Sequence, residues 1–367
     1  MPDQPGLCGA TAAALPAFAP PPGTERQDRA IQFAVTAAEE AWRLAGLASA
    51  AVDPGRVAVV ISLSKGGIFA LAGQRERAGR EDDVWLCASP DAAARAVSAR
   101  LGVRGPMSSP ITACASGGHA LVWGARLIER GVADVAIVGA AEASLHPLVI
   151  GSYRRMGVLA EGGDDPAASV RPFSRTRRGF AIGEGAGILV LESAASAQRR
   201  GATGLARVAG WATGGHAGGL AKMEATGETL ARLATDALVR AEVAPSAIDY
   251  VNAHGTATPD NDLAEGLAIR AAFGAAADTL SVSSTKGAHG HLLGAAAAVE
   301  LVLTVLAMRR GEVPPTANLT DPDPAIRLDC TPICPRRRVI RHALKLASGF
   351  GGQAVAVCLA AAGAEGS

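Results

Sequence analysis

With 367 residues, 49% of them hydrophobic, only 4% aromatic and 44 of them glycine, the chain is long enough for two cores and suits closely packed α/β layers, which excludes a small disulfide-held or disordered domain. The net charge of +1 excludes a global drive toward nucleic acid or a membrane surface and leaves any acidic partner to a local basic patch. Six cysteines scattered over this length (Cys8, Cys87, Cys114, Cys330, Cys334, Cys358) point to a reducing cytoplasm, and Cys330 and Cys334 lack the second ligand pair that a zinc site needs.

Residues 1–30 are rich in Pro, Ala and Gly without a period and read as an irregular segment with no leader pattern. From Ile31 the apolar positions Ile31, Ala34, Ala38, Ala41 and Ala45 predict a helix, and Gly46 offers its cap. Unbroken apolar runs predict buried strands at 57–61, 134–138, 187–191, 248–251, 280–283 and 355–359. Helices are predicted at 115–130, 226–242 and 292–309. The last holds the longest apolar run, interrupted by Glu300 and too short to span a bilayer. Alternating strands and helices predict parallel or mixed sheets covered on both faces. Two stretches echo each other: Cys114 and His291 each precede a helix that ends in Arg-Gly. That echo predicts a duplication, with halves at 31–210 and 211–367.

Four side chains carry the chemistry. Cys114 stands at the start of a helix whose stripe is Leu121, Ala125 and Ile128, where free N–H groups favour a thiolate. A thiolate attacks thioester carbonyls, although a lone cysteine among small residues is more often a structural thiol. His254 follows the strand of 248–251, at the mouth of a sheet. His291 opens the helix of 292–309, with Lys286 in the Gly-rich turn before it. Each has a plain structural reading alone; together they suit decarboxylative Claisen condensation. One group carries an acyl chain, and two neutral imidazoles donate to a thioester oxygen as it becomes an enolate. His289 reads as structural, and GEGAG (183–187) leads into a strand, which rules out a dinucleotide loop.

The motifs then resemble one family. TACASGGHA (112–120), NAHGTATPDND (252–262) and SSTKGAHGHLLGAAAAVE (283–300) are similar, in order, to the cysteine, first histidine and lysine–second histidine motifs of type I/II β-ketoacyl-acyl carrier protein synthases of the thiolase superfamily. RPF (171–173), GFAIGEGAGILVLE (179–192), PPTANL (314–319) and SGFGG (348–352) extend the resemblance from about Ile31 to the C-terminus. It implies the thiolase-like five-layer αβαβα fold of two duplicated halves. It implies Cys114 as the acylated nucleophile, His254 and His291 as enolate-binding groups, and Lys286 orienting the His291 side together with Glu300. Spacing does not show that last contact, since nine positions along one helix put His291 and Glu300 on opposite faces. The N–H groups of Cys114 and Phe350 would form an oxyanion hole, with Phe350 as gate. On the substrate side stand Thr256 and Thr258, toward a phosphopantetheine arm, and Glu300. Asp262 and Glu265 are supportive.

The implied reaction gives a 3-oxoacyl-acyl carrier protein for fatty acid, polyketide or polyene synthesis. It uses no metal or organic cofactor beyond the carrier's phosphopantetheine. The expected partners are acyl carrier protein and a second synthase chain, as homodimer or heterodimer, in the cytoplasm and without nucleic acid or membrane insertion. Arg175, Arg177 and Arg178 form a basic cluster that could dock the acidic carrier or be a solvated loop. The chain departs from the pattern in several places. An opening strand, expected to be central, is not visible before residue 31, so truncation, residues 7–18 or a partner chain would account for it. The segment from Val60 to Pro106 is short, Ser174 and Arg178 stand at commonly acidic positions, and Ser348 replaces an aromatic. The alternative is a non-catalytic partner like a chain-length factor, which would lack the nucleophile this chain keeps.

Overall fold

The computed structural model of the chain describes residues 12–15, 17–73, 84–219 and 224–363. Two sheets dominate. The first contains β1 (Val57–Leu63), β2 (Met107–Ser108), β3 (Val135–Glu142) and β4 (Gly185–Glu192) in the order β2-β1-β3-β4. The second contains β5 (Ala206–Gly215), β6 (Tyr250–Asn252), β7 (Ser281–Ser283), β8 (His342–Ser348) and β9 (Gln353–Ala361) in the order β5-β9-β8-β6-β7. Helices α1 (Arg29–Leu44) and α2 (Ala92–Leu101) cover the outer face of the first sheet. Helix α3 (Ser116–Glu129) lies between the sheets together with a later helix, α7 (Ala296–Arg310). A short helix, α4 (Pro147–Arg155), flanks the site. The outer face of the second sheet is covered by α5 (Glu228–Ala241), with α6 (Pro259–Phe273) packed beside it. The result is the expected five-layer αβαβα arrangement.

Side-chain alternation along the strands sorts residues into separate cores. On β1, Val57, Val59, Ile61 and Leu63 face α1 and α2, whereas Ala58 and Val60 face the middle layer. On β9, Ala354, Ala356 and Cys358 face α5, whereas Val355, Val357 and Leu359 face the middle layer. Each fully buried Val or Leu contributes about 1.5–3 kcal/mol, so both faces of each central strand are committed. This is why these runs carry no polar period.

The middle layer requires small residues. At Gly117 in α3, an added Cβ would lie 2.6 Å from the Ala298 backbone nitrogen in α7, so the two helices touch backbone to backbone.

The duplication is real, but its register differs from the sequence echo. Each middle helix is preceded by a 3-10 turn, Ala113–Ala115 or Leu293–Ala295. Each turn opens on a non-glycine residue at positive φ, Ala113 at 48° and Leu293 at 46°. Cys114 therefore corresponds to Gly294, and His291 sits three residues earlier, in the loop. The boundary between the halves also moves: β5 begins at Ala206, so a division at 210/211 would cut a strand.

The strand orders correct the position of the missing opening strand. In the second half the first strand, β5, is the edge strand beside β9. Its counterpart would flank β4 at the edge of the first sheet, where none stands among the described residues; it would not leave a central gap. Of residues 7–18, Ala12–Ala13 pair in parallel with Ile182–Gly183, outside the main sheet, while positions 7–11 and 16 lie outside the described residues. No helix among the described residues is long and apolar enough to cross a membrane.

Candidate active site

Cys114 is 6% exposed, in the turn that feeds α3. The turn is held by Ser116, whose hydroxyl donates to Ala113 O (2.7 Å) and accepts from the Thr112 N–H (2.9 Å). The loop after β8 presses on it. A Cβ on Gly349 would lie 2.6 Å from Thr112 O and 3.0 Å from the Cys114 nitrogen, so only glycine lets the segment leading to Phe350 meet the Cys114 amide.

The resting sulfur is a thiol, contrary to the charged sulfur expected from its helix. Burial pushes the Cys114 pKa up to about 11, against the pull of Lys65 and then Lys286. The helix start and these cations lower the cost of forming the thiolate but do not hold it charged at pH 7.

His254 is fixed from behind. Its N–H and that of Gly255 donate to the two oxygens of Glu265, at 2.6 and 2.7 Å. His291 is fixed by its N–H donating to Ala181 O (2.7 Å) and its carbonyl accepting from Gly183 (2.9 Å). The two rings approach edge to face, 5.4 Å between centroids at 81°. Phe180 lies edge-on to His291 at 4.8 Å, Tyr153 of α4 meets Phe180 at 6.0 Å, and Phe350 stacks on Tyr153 at 6.1 Å. Phe180, Tyr153 and Cys114 share one apolar cluster with Ile182 and Leu293. The structure thus brings Cys114, His254, His291 and Phe350 around a single apolar site.

Burial, reinforced by Lys286, holds both imidazoles well below the usual histidine range. They are neutral at pH 7, each with one donor and one acceptor nitrogen. Neither Nδ1 has a hydrogen-bond partner among the described residues, although His254 and His291 are only 3% and 1% exposed.

Lys286 is fully buried and donates to Glu300 Oε1 (2.5 Å) and to the carbonyl of His254. It therefore steadies the His254 side, not the His291 side. The Lys286–Glu300 contact exists because His291 lies before α7, not on it, so the nine-position count did not apply. Glu300 is 0% exposed and both its oxygens face lysines, so it positions other residues and cannot reach substrate. The second lysine is Lys345 on β8, 2.6 Å from Glu300 Oε2 as an ion pair without directed hydrogen-bond geometry. Sequence reasoning missed Lys345, as it missed Phe180, Tyr153 and Lys65. Lys65 sits 6.0 Å above the Tyr153 ring and 2.8 Å from the Ser64 hydroxyl.

Thr256 and Thr258 bond each other through their hydroxyls at 2.8 Å, beside His254. Asp262 accepts from the Phe173 and Ala257 N–H groups, a supporting role as expected. The arginine cluster divides. Arg175 and Arg178 are exposed, with Arg175 paired to Asp321. Arg177 is buried and donates to Asp323, Ser174 O and Pro259 O. Its guanidinium is consumed inside the fold, which removes it as a docking residue.

Comparison with known proteins shows the family. Residues 16–197 match the β-ketoacyl synthase N-terminal domain and residues 205–320 its C-terminal domain. A putative polyketide β-ketoacyl synthase 1 of Streptomyces cyaneus is 40% identical over 347 residues, 91% of this chain and 82% of that protein. Among solved structures, a type II polyketide ketosynthase in complex with its acyl carrier protein and bound to a hexaketide superposes with a TM-score of 0.86 at 35% identity, covering 92% of this chain and 85% of that one. The ishigamide ketosynthase/chain length factor gives 0.85 at 30% identity, covering 96% and 88%. With both domain models matched along most of its length and the cysteine and two histidines gathered at one site, this chain belongs to the β-ketoacyl synthase family.

Proposed function

We propose that this chain is the catalytic ketosynthase of a polyketide-forming system, extending an acyl chain by decarboxylative condensation with a malonyl unit on acyl carrier protein. The observation that carries this reading is the pair of neutral, buried imidazoles with unpaired Nδ1 atoms, joined through Phe180 to the apolar cluster that holds Cys114. In the first half-reaction a Cys114 sulfur–carbon bond forms and the carrier's thiol leaves with the proton. Malonyl-carrier then enters, its carboxylate carbon–carbon bond breaks, and carbon dioxide departs. His254 and His291 donate to the thioester oxygen as it takes the enolate charge. The enolate carbon attacks the acyl-enzyme, the sulfur–carbon bond breaks, and Cys114 regains a proton. No metal or organic cofactor enters these steps.

The choice of polyketide over ordinary fatty acid synthesis rests on the relatives' names. Two further features support the assembly. Arg175 and Arg178 offer outward cations to an acidic carrier. Strand β2 pairs only with β1 among the described residues and carries exposed Met107, an open edge that a second, related synthase chain would cover.

The test is mass spectrometry after incubation with acyl-carrier, followed by malonyl-carrier. An acyl adduct on Cys114 that is absent in C114A, and a 3-oxoacyl product lost in H291A while the adduct persists, support the reading. A chain that never acquires the adduct is instead a partner of the chain-length-factor type.

A further inference from the structure

Strand β8 reads HALKLAS, and its alternation is strict: Leu344 and Leu346 face the outer core, Ala343 and Ala347 the middle layer. Lys345 therefore points into the middle layer, at a position where its neighbours are alanines. It is 1% exposed. Burying a cation without compensation costs several kcal/mol, so its surroundings must repay that cost. Lys345 Nζ lies 2.6 Å from Glu300 Oε2 and donates to Ala253 O at 3.1 Å, with Asn252 O at 3.5 Å. On the other side of Glu300, Lys286 takes Oε1 and the carbonyl of His254. Two ammonium groups sharing one carboxylate thus hold three successive carbonyls, those of residues 252, 253 and 254.

One carboxylate needs one cation, and Lys286 alone would balance Glu300. Lys345 adds a charge that Glu300 does not require. The ionisable groups around it are Glu300, Lys286, Glu265, His254, His289 and His291. Counted by itself the Lys286–Glu300–Lys345 cluster is a net cation beside the His254 segment; Glu265, raised to about 7 by burial, is the further carboxyl acting on it.

We propose that Lys345 is a positioning residue of the decarboxylation step, fixing the His254 segment through Asn252 and Ala253 and supplying, with Lys286, the field that favours the enolate. This rests on the condensing reading above. It concerns the malonyl half-reaction rather than acylation, because the carbonyls it holds lead to His254 and not to Cys114.

Lys345 lowers the proton affinity of both imidazoles. Its own pKa is pushed down to about 8 by burial and by Lys286, against Glu300. Two signs follow. Replacing Lys345 with an uncharged residue lets the imidazoles protonate at higher pH. The native chain loses a cation from the site as pH rises through about 8.

The experiment measures acylation of Cys114 and decarboxylation of malonyl-carrier separately, from pH 5 to 9, for the native chain, K345M and K345R. Native decarboxylation is expected to decline above pH 8, a decline that K345R removes by keeping its charge. K345M is expected to slow decarboxylation about 10- to 100-fold, to move the acid limb of its profile to higher pH, and to leave the acylation rate within about threefold. If K345M does not fold, the native and K345R profiles decide alone. The proposal is overturned if decarboxylation and its pH profile are unchanged in K345M, if both half-reactions fall together with an unmoved profile, or if the native and K345R profiles coincide. Failure of the native chain to acylate at all is a separate result, which removes the condensing reading and this proposal with it.

Discussion

At Cys114 the limiting quantity is space. Gly349 faces the backbone of Thr112 and Cys114 rather than flexible side chains, so nothing nearby can yield to a methyl group. G349A must push the Phe350 segment away from the Cys114 amide. If the Cys114 and Phe350 N–H groups form the oxyanion hole that the resemblance implies, loss of one donor costs a factor of about 10²–10³ in kcat, and single-turnover acylation of G349A should fall by that order while Cys114 remains alkylatable. Lys65 poses a second test at this scale. It is the leading charge acting against burial on the Cys114 thiol, so K65M should raise the thiol pKa further. Iodoacetamide labelling of Cys114 between pH 7 and 9 should slow, and an unchanged labelling profile would remove Lys65 from the site. The motifs made Cys114, His254, His291 and Lys286 legible because each lies in a string of small residues whose order is itself distinctive. Lys345 was hidden because HALKLAS resembles a strand with one solvated face. Tyr153 and Phe180 were hidden because only tertiary packing stacks them between His291 and Phe350.

Helices α3 and α7 carry the two turns of the site, and their contact sets the distance between them. A Cβ at Gly117 would meet the Ala298 nitrogen at 2.6 Å and its Cβ at 2.7 Å. G117A therefore separates the helices or strains the crossing, and overpacking of this kind costs about 1–3 kcal/mol. The urea midpoint should fall accordingly, and condensation should fall more than stability alone explains, because the Cys114 turn and the Leu293–Ala295 turn move apart. A midpoint equal to the native one would show that the layers adjust freely. Strands β1, β3 and β9 were readable as apolar runs because both their faces are buried. Strand β5 was not: its Ala- and Gly-rich edge sequence, half-buried over most of its length, has neither a long apolar run nor a period. Helix α6 escaped because it buries Asp262 and Glu265 against the loops after β6 as well as an apolar side, so its sequence carries no single stripe.

Across the whole molecule, the site's neutrality is bound to the stability of the fold. Burial lowers the pKa of His119, His254, His289 and His291 below the ordinary histidine value. In the unfolded chain each titrates near 6.5, so below that pH the unfolded state binds more protons than the native state. Their contribution is complete above pH 6.5 and is lost as pH falls toward the folded values. Glu265 acts in the opposite direction. Burial raises it to about 7, so its contribution is present below its ordinary range and is lost as pH rises through 7, which offsets about one histidine. The four lowered imidazoles outnumber Glu265, so stability falls as pH drops below 6.5. Urea titrations at pH 7.0, 6.0 and 5.5 should therefore show stability falling, and replacing both His254 and His291 by Gln should make that fall shallower. On the proposed mechanism the same double variant must lose condensation at every pH, because the groups that make the fold acid-sensitive are those proposed to hold the enolate. A stability curve flat from pH 7.0 to 5.5 would mean that the imidazoles take up protons in the folded chain as readily as in the unfolded one, which is incompatible with the buried, neutral pair on which the chemistry was built.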